Sequence, residues 1–208
     1  ILTFTSRNKY QVASIGDIKK VKFQDQVYVA GFPLFDFRNL KFESGEVVAN
    51  AEVGIDQGYQ LLYSNNTKKG MSGGVILNIN GELIAIHGRG EEDKKRSLEK
   101  RLAVKTGINQ GVPISFYNLY VDGMPVVIPK TSPTTADDYL AQARASQDKM
   151  GREQTIIRLV NQAINLEPNN SSAYFLRAYT KDDLEDYKGA ISDYTKNILI
   201  DPENEASY

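Results

Sequence analysis

Cysteine and tryptophan are absent from this 208-residue chain, and histidine occurs once. Without cysteine there is no disulfide, no thiol nucleophile and no thiolate ligand for zinc. One histidine leaves no histidine cluster, and no acidic loop carries calcium spacing, so neither a metal nor another cofactor is expected. An excess of one charge is lacking too: 25 Lys and Arg stand against 26 Asp and Glu. That balance gives no footprint for nucleic acid or for anionic lipid. No apolar run approaches the ~18–20 residues needed to span a bilayer. A hydrophobic content of 41% nevertheless supplies a real core, in one large domain or two small ones. The chain opens on Ile1, with neither the charged start nor the cleavage site of a secretion signal, and "ILTFTS" reads as a strand already under way. A fragment or processed product is the expectation.

Two periodicities divide the sequence. Residues 1–123 are β-like: "QVYVAGF" (Gln26–Phe32), "SGEVVANAEV" (Ser44–Val53) and "YQLLYS" (Tyr59–Ser64) are rich in Val, Tyr and Leu and punctuated by Gly. "GGVILNINGELIAIHG" reads as a hairpin turning at Asn80-Gly81, a dipeptide suited to positive φ at both turn centres. That register pairs Ile79 with Glu82 and sets Gly74 opposite His87. Residues 124–135, with Pro125, Pro129 and Pro133, predict an extended linker. Residues 136–208 are helical in pattern.

Within the helical part, "LEPNN" at Leu166–Asn170 recurs as "IDPEN" at Ile200–Asn204, placing Pro168 and Pro202 at the same phase of a 34-residue repeat. That is the tetratricopeptide period, and residues 171–204 resemble such a repeat position by position. Tyr174, Ala178, Tyr187, Ala190, Tyr194 and Pro202 fall on its aromatic, small and closing positions. Asn197 replaces a small residue, so looser helix packing is expected there. Residues 137–170 read as a degenerate first repeat, keeping Ala163 and Pro168 but with Ile156 at a small position. Tyr208 would open a third. The Tyr-rich helices read as repeat core.

The chemistry-bearing stretch is "TKKGMSGGVILNINGELIAIHGRG", Thr67–Gly90. A serine hydroxyl becomes a nucleophile only when a base takes its proton and N–H groups receive the oxyanion. In "GMSGG" the glycine at position 70 lets the backbone turn so that the N–H groups of Gly70 and Ser72 converge on one oxygen. Gly-x-Ser-Gly-Gly alone is also compatible with a plain β-turn, so context must decide. A hairpin rather than a helix follows Ser72, which argues against a nucleophile-elbow hydrolase. "GFP" (Gly31–Pro33) ends a strand upstream, and "VKTGINQGVPI" (Val104–Ile114) supplies one downstream.

Across Gln26–Tyr120 the chain resembles the second barrel of chymotrypsin-like (trypsin-like) serine proteases, especially bacterial ones. The fold class expected is therefore multi-domain: an antiparallel β-barrel, the second half of a trypsin-like double barrel, followed by an α-helical tetratricopeptide segment. The resemblance implies Ser72 as nucleophile, Gly70 and Ser72 as oxyanion-hole donors, and Gly88, Arg89 and Gly90 as the edge that binds substrate backbone. It also implies that the catalytic histidine and aspartate belong to a first barrel, supplied by a missing segment or a separate chain, and that this chain alone is inactive. Bacterial relatives of this architecture are commonly exported.

His87 is either a base for Ser72 or a pocket residue. Glutamate-specific endopeptidases of the same family carry a histidine fifteen residues after the nucleophile and a threonine five before it, offsets that land on His87 and Thr67. The resemblance then implies that these two hold a substrate carboxylate, with Lys68 and Lys69 adding positive field. "EEDKKRSLEKRLAVK" (Glu91–Lys105) reads as a solvated loop. Two functions follow as expectations. One is a serine endopeptidase acting on a protein or peptide, with repeats that bind a partner protein. The other is an inactive protease-like scaffold whose repeats act as an adaptor.

Overall fold

The computed structural model describes residues 5–202, except 54, 56–57, 93–96, 99, 102–104, 122–131, 148 and 150. The linker reading at 124–135 lies largely outside these residues, as do Ile1–Phe4 and the third repeat at Tyr208. Thr5 and Ser6 are not in a strand.

Six strands form a closed antiparallel barrel: β1 (Gln26–Gly31), β2 (Lys41–Asn50), β3 (Leu61–Tyr63), β4 (Val75–Asn78), β5 (Leu83–Glu92) and β6 (Lys105–Pro113), in the order β1-β2-β3-β6-β5-β4. Alternation in "QVYVAG" puts Val27 and Val29 wholly inside while Tyr28 stays half-buried between them. They meet Val47, Leu61, Tyr63, Met71, Ile76 and Ile84 in the barrel core. Each such aliphatic side chain contributes about 1.5–3 kcal/mol by leaving water.

The hairpin differs in detail from its sequence reading. Asn78 N–H donates to Glu82 O at 3.0 Å and Gly81 N–H to Asn78 O at 3.0 Å, so the loop is Ile79-Asn80-Gly81. Only Gly81, at φ +75°, takes a positive φ there. Asn78 Oδ1 accepts from the N–H groups of Asn80 and Glu82, which favours this longer loop over the two-residue turn. A bulge between Ile76 and Leu77 then restores the expected register: Val75 pairs with Ile86, and His87 N–H donates to Gly74 O at 2.8 Å.

A helix not expected from the sequence, α1 (Ser115–Val121), follows β6. The Val/Tyr-rich reading of that stretch missed it because none of its residues is buried and no stripe marks it. Beyond lie α2 (Ala136–Arg144), α3 (Glu153–Leu166), α4 (Ser171–Asp183) and α5 (Tyr187–Ile200). Helices α3 and α5 begin and end 34 residues apart, at 153 and 187 and at 166 and 200. Ala163, Ala173, Leu176, Ala178 and Ala190 are buried between the helices, and Phe175 meets Tyr194 edge to face at 5.8 Å. Tyr187, read as core, is exposed.

The two departures from the repeat pattern are both packed, against the looser packing expected at Asn197. Ile156 is buried among α2–α4 neighbours in the position where a small residue was expected. Asn197 is wholly buried, and its Nδ2 donates to Ser171 O at 2.6 Å, tying the end of α5 to the start of α4. A buried amide with its bond made does not loosen the pair.

Barrel and helices share one core. Val48, Ala49, Ala51, Ile55, Leu62 and Ile108 from the barrel's outer face pack with Leu140, Leu159, Val160 and Leu176. The polar link is Asp138. Thr135 caps α2, and Asp138 completes the capping box by accepting from Thr135 N–H at 3.0 Å. Its other oxygen accepts from Val53 N–H at 2.9 Å. Burial pushes the Asp138 carboxyl up, but the amides of Val53, Thr134 and Thr135 outweigh it and hold the pKa below the usual range. Next to it Asp137, half-buried, goes the other way: burial pushes it to about 6.

Candidate active site

The loop between β3 and β4 carries Ser72. Gly70 sits at φ +102°, where a side chain would strike the backbone of Leu34, and Gly73 sits at φ +88°. Only glycine takes these conformations without strain. Leu34 N–H donates to Lys69 O at 2.7 Å, fixing the loop against the segment that follows β1. Around Ser72 the amides of Met71, Gly73 and Gly74 are engaged, to Lys68 O at 3.1 Å, His87 O at 2.8 Å and Met71 O at 2.9 Å. The amides of Gly70 and Ser72, and that of Lys69, have no partner among the described residues. Met71 is buried beneath the loop, whereas Ser72 is exposed.

Beyond His87, β5 runs past the end of β4. Among the described residues Arg89 and Gly90 pair only with Gln110 and Asn109 of β6, so Gly88–Gly90 keeps one edge without a neighbouring strand there. Tyr59 lies over Gly88, where a Cβ would enter its ring, and the Arg89 guanidinium stacks on that ring at 4.8 Å. Gln110 Oε1 accepts from Arg89 Nε at 3.3 Å and from Nη2 at 3.2 Å.

Thr67 and His87, singled out together by sequence, are both 2% exposed. The Thr67 hydroxyl donates to Asn109 Oδ1 at 2.5 Å, and Asn109 Nδ2 donates to the carbonyls of Tyr63 (3.2 Å) and Asn65 (2.6 Å). His87 Nδ1 meets the Tyr63 hydroxyl at 2.5 Å. With the imidazole inside the barrel and Ser72 outside, the alternative of His87 as the base finds no geometric support. No second histidine exists in the chain. Among the described residues no cluster of His, Asp and Glu could hold a metal ion, and no helix is long and apolar enough to cross a membrane.

Sequence reasoning missed Tyr63, Asn109 and Gln110. The available signal was polarity at consecutive positions in a strand, "NQ" in "KTGINQGVP", where both residues are buried. A separate cavity of about 710 Å³ lies between the barrel's opening segment and the helices, lined by Lys19, Lys22, Glu52, Gln60, Asp137 and Glu167 among others. None of its lining residues belongs to the Ser72 loop.

The segment after β1 is apolar and uncovered. Phe32, Leu34, Phe35, Phe37, Leu40 and Phe42 are each about half exposed or more, with Phe35 at 92%. Leu34 belongs to this patch and also braces Gly70, so the patch adjoins the Ser72 loop.

Residues 1–86 match the family model of the trypsin-like peptidase domain, a span that contains Thr67, Gly70 and Ser72 and stops one residue before His87. Among curated proteins, none matches the chain. The matched segment and the closed six-strand antiparallel barrel together fit a trypsin-like protease barrel.

Proposed function

We propose that this barrel is the nucleophile-bearing half of a serine endopeptidase. The observation that carries the reading is the Ser72 loop: an exposed hydroxyl, flanked by the unengaged amides of Gly70 and Ser72, on a backbone that only glycine permits. In that role Ser72 Oγ attacks the scissile carbonyl carbon while a base takes its proton. The carbonyl electrons move to oxygen, where the two amides receive the charge. Collapse expels the amine, which takes the proton from the base, and water then releases the acid from the serine ester. The open edge at Gly88–Gly90 binds the substrate as an added strand, with main-chain bonds supplying affinity.

The base and its orienting acid come from outside this sequence, which holds only His87. The apolar patch at residues 32–42 is the place for the segment or chain that brings them, because it borders Gly70. Labelling by a fluorophosphonate probe tests the assignment. The chain together with the part that supplies the base should react, and Ser72→Ala should not. Equal labelling of both would end the reading.

Acidic side chains are the substrate class His87 favours in this reading, since an imidazole N–H donates to a carboxylate. Thr67 is less suited than its position suggests, because its single proton lies on Asn109. It joins only by rotating away. A peptide panel differing in the residue before the cut checks the preference, and equal cleavage after Glu, Ala and Phe would refute it.

The helices form a tetratricopeptide stack in this reading, supported by the 34-residue offset of α3 and α5 and by the buried alanines between helices. Such a stack binds a partner protein. It does so equally well beside an inactive barrel, which is the second reading that this same offset favours.

A further inference from the structure

The Tyr63–His87 contact does something that neither barrel packing nor the strand ladder requires. Tyr63 is wholly buried on β3, and its ring stands edge-on to the imidazole with centroids 6.0 Å apart. The hydroxyl lies 2.5 Å from His87 Nδ1 and 3.4 Å from Gln110 O. A phenol has one proton to give. Its burial raises the pKa well above the ordinary 10, so the proton stays on the oxygen throughout the working range. Given two acceptors at these distances, the proton goes to the nearer, Nδ1. A neutral imidazole that accepts at Nδ1 carries its own proton at Nε2.

From this geometry we infer that Tyr63 is a positioning residue that holds His87 in the Nε2–H tautomer, with the ring fixed as a donor. The backbone holds the other end of the arrangement. His87 N–H donates to Gly74 O and His87 O accepts from Gly73 N–H, both at 2.8 Å, so the ring is anchored to the strand that starts beside Ser72. The tautomer stands independently of any reaction. Its consequence for specificity rests on the acidic-substrate reading above. There, Tyr63 keeps the imidazole proton on Nε2, so a carboxylate that engages His87 meets the donor form of the ring without an exchange of tautomers. Preorganising a donor in this way saves the reorganisation that a free imidazole undergoes.

The chain holds a single histidine, so the experiment needs no assignment. Long-range ¹H–¹⁵N correlation on the ¹⁵N-labelled full chain at pH 8 reads the imidazole alone. Wild type should show one pyridine-type nitrogen at Nδ1 and one pyrrole-type nitrogen at Nε2. Tyr63→Phe, which removes only the hydroxyl, should collapse the separation of the two shifts toward a common average. A wild-type ring with its proton on Nδ1, alone or together with Nε2, overturns the inference, as does an unchanged pattern in folded Tyr63→Phe. If that variant does not fold, the wild-type spectrum alone decides. In the active protease, Tyr63→Phe should raise KM for a substrate cut after Glu about tenfold with kcat nearly unchanged. Loss of acid preference in the wild-type enzyme would remove the acidic reading and leave the tautomer intact.

Discussion

Buried polar groups occur in both halves of this molecule, and they are used differently. In the helices several close an end or join two helices. Asn170 caps α4 through Ala173 N–H, Asn197 ties α5 to Ser171, and Asp193 holds Arg177 and Lys181 at 2.6 and 2.8 Å. In the barrel they gather in one wall, where Thr67 meets Asn109 and Tyr63 meets His87 by side-chain contacts. Helix ends leave amides and carbonyls that something must satisfy. In a closed barrel most backbone groups are satisfied strand to strand. Its polar wall serves the remainder, with Asn109 Nδ2 donating to the carbonyls of Tyr63 and Asn65, and it meets the Ser72 loop where Gly73 N–H donates to His87 O.

The sharpest way to break that contrast is at the serine. Ser72→Ala should leave thermal stability within about 0.5 kcal/mol, as expected of an exposed side chain, while lowering, on the reading proposed above, the peptidase activity of the chain joined to the part that supplies its base on the order of 10⁴-fold or more. Turnover assays beside a melting curve check both. At the junction, Asp138→Ala should cost about 2–4 kcal/mol, because it removes the capping box and strands the amide of Val53. Denaturant titration measures it, and a cost under 0.5 kcal/mol would deny the clasp.

Gly70→Ala should cost about 1–3 kcal/mol through strain at positive φ and, unlike Asp138→Ala, should also abolish probe labelling. Arg177→Met should cost about 1–3 kcal/mol, because it leaves Asp193 buried with Lys181 alone. No effect on labelling is expected there.

The smallest effect is the most diagnostic of environment. Asp137 has a pKa raised to about 6 by burial, so the folded state binds its proton more tightly than the unfolded state does. Its contribution therefore favours folding below the unfolded value near 4 and turns unfavourable as pH rises through 6. Asp137→Asn should stabilise the protein at pH 8 by about 1 kcal/mol, after allowance for solvent screening, and change little at pH 4. Asp138, its pKa depressed, has the opposite sign: its stabilisation is present above the unfolded value and is lost as pH falls through the folded one.

Local rules made much of this legible. Apolar alternation marked β1, β2 and β3 because it is carried by neighbours in sequence, and a proline-phased period marked α3 and α5 because it recurs along the chain at a fixed spacing. Glycine at 70 signalled the turn for the same reason. The bulge between Ile76 and Leu77 was invisible, since it depends on how Asn78 bonds across the loop. Asn109 was invisible too: its partners Thr67, Tyr63 and Asn65 are more than forty residues away. Asn197 misled for a related reason. A repeat pattern says which size a position prefers, whereas the carbonyl of Ser171 decides what it tolerates.

The common core of barrel and helices has a mechanical corollary. Leu62 and Ile108 on one side and Leu140 and Val160 on the other are packed as a single body, so the helices have no free swivel about the barrel. On the reading proposed above, a protein gripped by the helices is held at a set bearing and range from Ser72. Only peptide bonds lying that far along it come within reach, which makes the array a ruler as well as a tether.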